Sequence, residues 1–169
     1  MAREVDAGDV TVTTDADVIA LADRIVLPGD GAFPACMTAL KGICVGMQLM
    51  ASMGREYEDT KGINWIAGEV TRISPTDETL KVPHMGWNNL VLNTPHPVFD
   101  GIKTGDHTYF VHSYHMAVKD PAQRLAHVEY ASEVTAVIGR DNMVGMQFHP
   151  EKSQATGLRM ISNFLRWAP

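Results

Sequence analysis

Lys41-Gly42-Ile43-Cys44-Val45-Gly46-Met47-Gln48-Leu49-Met50 sets a cysteine in the pattern Gly-x-Cys-x-Gly, where a short apolar run meets a helix-compatible segment. This is the cysteine form of the strand-turn-helix nucleophile elbow, in which flanking glycines allow a cramped turn that pushes the nucleophile out of the chain. Such an elbow belongs to an α/β fold. At a helix start, unpaired backbone N–H groups favour a thiolate over a thiol. The alternative is a structural cysteine packed among small residues, a common arrangement in cores.

Outward from Cys44, the rest of the chain also reads as α/β. Val10 to Val12 alternates, Asp15 to Ala22 begins on an acid and has helical character, and Arg24 to Leu27 is a β-rich run closed by Pro28-Gly29. Helix and strand in alternation predict a parallel sheet, with the Pro28 to Gly31 loop at a strand's C-terminal end, where open α/β sheets place ligands. Met47, Leu49, Met50 and Met53 recur at helical spacing and predict a core face. Strands are expected at Gly68–Ile73, Trp87–Leu92, Thr108–His112, Leu125–Glu129, Val134–Ile138 and Met143–Phe148. Their close spacing predicts an antiparallel or mixed section joined to the parallel sheet. Thr156 to Trp167 carries Leu158, Ile161, Phe164 and Leu165 on one face of a closing amphipathic helix.

With 169 residues the chain suffices for one well-cored domain, so a single domain over 1–169 is expected. A formal charge of −6 and a pI near 5.6 offer no basic face for nucleic acid or an anionic membrane. No apolar run reaches the roughly 20 residues of a membrane span, and Met1 to Asp6 lacks a signal-peptide core. A cytoplasmic protein is expected. Cys36 and Cys44 are too few for a disulfide framework, and the seven histidines show no zinc-ligand spacing.

A thiolate nucleophile needs a proton shuttle, and the shuttle needs an orienting acceptor. Gly145-Met146-Gln147-Phe148-His149-Pro150-Glu151 provides both, because His149 and Glu151 stand two apart in an extended segment stiffened by Pro150 and project to one side. His84 and His112 are rivals without an acidic neighbour in sequence. A structural or substrate-contacting role suits them better.

Gly-Ile-Cys-Val-Gly-Met-Gln, followed by Gln-Phe-His-Pro-Glu-Lys-Ser about a hundred residues later, resembles the class I (triad) glutamine amidotransferases. Lys81 to Asn88, Tyr109 to Tyr114 and Pro28 to Phe33 further resemble the glutaminase subunits of imidazole glycerol phosphate synthases in histidine biosynthesis. The likeness runs from about Thr11 to the C-terminus. It implies an open mixed sheet flanked by helices, with an antiparallel strand section. It also implies that Cys44 attacks the carboxamide of L-glutamine to give a glutamyl thioester, with His149 as proton shuttle and Glu151 orienting it. Val45 and the loop of Gly29, Asp30 and Gly31 would form the oxyanion hole after a peptide rearrangement. Gln48, His112, Ser113 and Tyr114 would hold the substrate. Trp87, Asn88, Tyr109 and Lys152 would face a (β/α)8-barrel synthase (cyclase) subunit. In that heterodimer the barrel uses the ammonia to make imidazole glycerol phosphate and AICAR. No metal or organic cofactor is implied.

The chain also departs from the family. The opening core strand, Gly-rich loop and first helix are absent or replaced by Met1 to Asp9. Only Lys41 stands where the family carries the strand feeding the elbow, and Asp30 occupies a usually apolar place in the oxyanion loop, where its carboxylate would repel an oxyanion. Either segments have been closed up, giving a Cα–Cα step at Leu40–Lys41 or Lys41–Gly42 well beyond about 3.8 Å, or the chain is internally deleted. Two further functions stay open. One is a catalytically impaired partner-binding subunit; the other is a triad amidotransferase of aminobenzoate or vitamin B6 synthesis, against which the Pro83 to Asn88 and Tyr109 to Tyr114 motifs argue.

Overall fold

The computed structural model describes residues 8–27, 29, 32–34 and 44–169. In order these form α1 (Ala16–Ala20), α2 (Val45–Leu49), β1 (Met53–Gly54), β2 (Thr60–Lys61), β3 (Gly68–Arg72), β4 (His84–Asn89), β5 (Val91–Leu92), β6 (His107–His112), β7 (Tyr114–Val118), β8 (Arg124–Glu129), β9 (Glu133–Arg140), β10 (Met143–Met146) and α3 (Gln154–Arg166). The described strands make three ladders, ordered β2-β1-β3-β7, β10-β9-β8-β5 and β4-β6. The first is mixed: β1 runs parallel to β3, while β2 and β7 are antiparallel to their neighbours. The α/β character and antiparallel section expected from the sequence are both present.

Two packed clusters hold the ladders together. Phe110, Phe148, Leu90, Val128 and Met160 centre one, between β4/β6, the β8–β10 sheet and α3. Phe33, Met47, Leu49, Val70, Met116 and Ile138 centre the other, which encloses α2. All five residues of α2 are buried, so its last carbonyls need partners within the protein. The loop after β2 supplies them: the N–H groups of Ile63, Asn64 and Ile66 donate to the carbonyls of Leu49, Ala51 and Met50 at 2.9–3.0 Å. Of the predicted methionine face, Met47 and Met50 are buried and Met53 is partly exposed.

The expected strands at Val10–Val12 and Arg24–Leu27 do not form, and Val12, Ile25 and Val26 are exposed. A β-rich run becomes a strand only when a neighbour takes up its backbone N–H and C=O groups, and among the described residues nothing pairs with 24–27. Arg24 instead donates to the carbonyls of Leu165 (3.3 Å), in the last turn of α3, and Trp167 (2.5 Å), just after it. The predicted early helix is present as α1, with the Asp15 carboxylate accepting the Asp17 N–H at 2.9 Å. Strand β7 was not anticipated. Ser113 separates it from β6, and its side of the sequence reads as the tail of the preceding aromatic run.

Helix α3 buries a line different from the predicted one. Gly157, Met160 and Asn163 lie deepest, while Leu158, Ile161, Phe164 and Leu165 flank them half-buried. The reason is a close approach: a Cβ at Gly157 would stand 1.9 Å from the Pro150 carbonyl oxygen. Asn163 is satisfied there by donating to the carbonyls of Val98 (2.9 Å) and Asp100 (2.7 Å). The short 3-10 turn Pro150–Lys152 is thereby seated on α3. The steps at Leu40–Lys41 and Lys41–Gly42 lie outside the described residues.

Candidate active site

Cys44 immediately precedes α2 with φ 70° and ψ −69°, a strained turn conformation rarely adopted by a residue with a side chain. That is the geometry of an elbow. The strain is held by packing on both sides. Gly46 lies so close to the Leu27 carbonyl that a Cβ there would come within 2.3 Å of its oxygen, and the Val45 N–H donates to the Gly29 carbonyl at 3.3 Å. The backbone donor beside the thiol is thus occupied by a carbonyl of the proposed oxyanion loop. Asp30 and Gly31, the other two residues assigned to that loop, lie outside the described residues.

The opposite wall is the extended segment after β10. Its backbone crosses between two ladders: Gln147 N–H donates to Ala136 O at 2.9 Å and His149 N–H to Tyr109 O at 3.0 Å. Alternation sends Phe148 into the core and the side chains of Gln147 and His149 the other way. Gln147 Nε2 donates to Cys44 Sγ at 3.0 Å, and His149 Nδ1 lies 2.9 Å from Glu151 Oε1. The Ser153 hydroxyl fixes the turn by donating to the His149 carbonyl (2.6 Å) while accepting the Tyr109 N–H (3.0 Å). His149 and Glu151 stay partly open to solvent.

Gln48, on α2, donates to the Tyr114 carbonyl at 2.9 Å and to Gln147 Oε1 at 2.8 Å. His112 reaches the same Tyr114 carbonyl through Nδ1 at 2.8 Å. Burial pushes His112 down to about 3, and the neighbouring imidazoles of His84, His115 and His149 act in the same direction. Burial alone lowers His84 to about 4. Gln48 and His112 therefore meet at the Tyr114 carbonyl, whereas Ser113 contributes a carbonyl to Ile73 N–H at the β6–β7 corner.

Register explains the outer surface. Trp87 pairs with Tyr109 across β4 and β6, their rings 5.7 Å apart, and the Lys152 ammonium lies 5.9 Å from the Tyr109 ring centre. Asn88, one residue on, faces the other way: its amide donates to Glu129 O at 3.0 Å and meets His84 Nε2 at 3.3 Å. The structure separates it from the Trp87–Tyr109–Lys152 cluster. Gln147 is the residue at the cysteine that the sequence reading missed. Its position two before His149 in an extended run was the available signal.

One trio with metal-ligand potential occurs among the described residues, His127, Glu129 and Glu133. Arg124 already supplies a cation there, 2.5 Å from Glu133.

The family model for class-I glutamine amidotransferases matches residues 34–167. The chain is 60% identical to the imidazole glycerol phosphate synthase subunit HisH of Ruegeria pomeroyi, covering 100% of this chain and 90% of that protein. It is 57% identical to the HisH subunit of Cereibacter sphaeroides, with the same coverage, and 51% identical to that of Rhodospirillum rubrum, over 96% of this chain and 86% of the relative. The Ruegeria alignment runs over 190 positions although the chain has 169 residues, so at least 21 positions face no residue of this chain. With most of its length matched by the family model and by these relatives, the chain belongs to the class-I glutamine amidotransferase family.

Proposed function

We propose that the protein is the glutaminase subunit of an imidazole glycerol phosphate synthase. The carrying observation is the Gln147 bridge, which ties the segment bearing His149 and Glu151 to the sulfur of a cysteine on a strained turn. Cys44 sulfur attacks the side-chain carboxamide carbon of glutamine to form a tetrahedral adduct. His149, its Nδ1–H held by Glu151, gives a proton to the nitrogen as the C–N bond breaks and ammonia leaves. The resulting thioester is opened by water, which yields its proton to His149 and releases glutamate. The Val45 N–H can receive the oxyanion only after leaving the Gly29 carbonyl. Rotation of the peptide after Gly29 would free it and offer a second N–H, so the resting site is plugged until something moves that loop.

That mover is the partner, a (β/α)8-barrel synthase subunit docked on the face of Trp87, Tyr109 and Lys152, which consumes the ammonia. One domain, working in the cytoplasm, carries this chemistry. Ammonia release from glutamine, measured with the barrel subunit and its nucleotide ligand present, tests the reading. Hydrolysis that Cys44→Ala abolishes is expected; full turnover in that variant overturns it. A second reading, a partner-binding subunit with an impaired elbow, draws on the unpaired run 24–27, with Ile25 and Val26 exposed, and on the unmatched alignment positions. Binding to the barrel without thiol-dependent hydrolysis would select it.

A further inference from the structure

Seven groups form a continuous hydrogen-bonded path through the interior: Asn88, His84, His112, the Tyr114 carbonyl, Gln48, Gln147 and Cys44. Their hydrogens can be placed by logic, because backbone carbonyls, which only accept, anchor the path in two places. From the outer end, Asn88 must turn its NH2 to the Glu129 carbonyl, and its Oδ1 accepts the Asn89 N–H at 2.8 Å. The same NH2 then faces His84 Nε2, which must be the bare nitrogen. From the inner end, His112 Nδ1 faces the Tyr114 carbonyl at 2.8 Å and must carry the hydrogen. Its Nε2 is then the acceptor for His84 Nδ1–H at 3.1 Å. Both ends give the same answer: two neutral rings, each an Nδ1–H tautomer. Burial, which keeps both rings uncharged, agrees with it.

The Tyr114 carbonyl also takes a hydrogen from Gln48, filling its two lone pairs. Gln48 has therefore one N–H left, which goes to Gln147 Oε1, and this leaves Gln147 with its NH2 toward sulfur. The orientation of an amide that could equally present oxygen to Cys44 is thus fixed by the Tyr114 carbonyl on β7 acting through Gln48 on α2.

We propose that Gln147 supports the Cys44 thiolate through its side-chain N–H, and that the Tyr114 carbonyl, acting through Gln48, is a positioning relay that keeps this donor facing the sulfur. The relay deepens the reading of Cys44 as nucleophile and rests on it. It adds a thiolate-supporting group beside the triad and a link from β7 through α2 to the sulfur. An N–H facing sulfur favours S⁻ over SH, whereas an amide or carboxylate oxygen there does the reverse.

Two measurements on the full chain test it. Long-range proton–nitrogen spectra of the imidazoles should show His112 as the Nδ1–H tautomer, the form that shares the Tyr114 carbonyl with Gln48; an Nε2–H form there overturns the hydrogen placement on which the relay stands. Thiolate absorbance, taken as the difference from Cys44→Ala, gives the titration midpoint of Cys44. Gln147→Glu keeps an acceptor for Gln48 but turns an oxygen toward sulfur, so the midpoint should rise by about one unit, a tenfold loss of thiolate near neutrality. Gln147→Met, which removes the donor without adding charge, should move it the same way by less and serves if the glutamate variant fails to fold. An unchanged midpoint in a folded variant overturns the role of Gln147. Loss of hydrolysis in Cys44→Ala, read separately, tells that failure apart from failure of the glutaminase reading.

Discussion

A histidine–glutamate pair and a histidine–histidine pair lie on the two arms that lead to Gln147 beside the cysteine, and their surroundings differ. His149 sits 2.9 Å from the Glu151 carboxylate on a 3-10 turn, partly open to solvent. His84 and His112 sit 3.1 Å from each other, buried and without a carboxylate, stacked among Phe110 and Tyr130. A carboxylate within hydrogen-bond reach orients an imidazole, as the proposed shuttle requires. Burial without a countercharge keeps the His84 and His112 rings neutral. The same residue type thus suits the proposed shuttle in one pair and a fixed donor and acceptor in the other.

The contrast can be broken most severely at the site itself. Cys44→Ala, compared with the unaltered chain in partner-stimulated ammonia release, should lower turnover by about 10⁴–10⁶-fold, as nucleophile removal does in triad enzymes. His149→Asn keeps a donor of similar size but no shuttle, and about 10²–10⁴-fold is expected in the same assay. If His112→Asn costs more than His149→Asn, the assignment of the two pairs is reversed.

The buried pair makes its own prediction in stability. Both rings have native values below the ordinary 6.5, His84 at about 4 and His112 at about 3. Above pH 6.5 neither native nor unfolded rings are charged, and their contribution is intact. Below it the unfolded chain binds protons that the native rings refuse, so stability falls with pH through the window from 6.5 to about 4. Each ring contributes a slope of up to about 1.4 kcal/mol per pH unit, and His115, also lowered by burial, adds in the same direction. Urea unfolding at pH 7 and pH 5 checks this, and a flat profile would mean charged or solvated rings. A smaller effect sharpens the other pair. Gly157→Ala drives a methyl into the Pro150 carbonyl, and should cost about 1–3 kcal/mol in urea unfolding. Activity should fall more steeply than stability explains, since the displaced turn carries Glu151.

Much of the site was legible because its residues are close in sequence. His149 and Glu151 are two apart, so extended geometry and Pro150 fix their relation locally, and Gly-x-Cys-x-Gly forecasts the strained turn found at Cys44. Asn88 shows the opposite case. Adjacent to Trp87, it was grouped with the outer surface, yet alternation along β4 turns it inward to His84, and only the register with β6 reveals how much is buried there. The run Arg24–Leu27 shows another limit, since its β propensity was read correctly but pairing depends on neighbours that composition cannot reveal.

The sequence by itself determined the family chemistry: a cysteine between glycines, a histidine with its acid two residues on, and the spacing that links the two motifs. Tertiary structure alone decided which way each polar side chain gives its hydrogen. Gln147 faces sulfur with nitrogen rather than oxygen because the Tyr114 carbonyl, 33 residues away along the chain, leaves Gln48 and then Gln147 one way to be satisfied. Hydrogen-bond direction is a property of a closed set of donors and acceptors, and that set exists only once β4, β6, β7 and α2 have packed together.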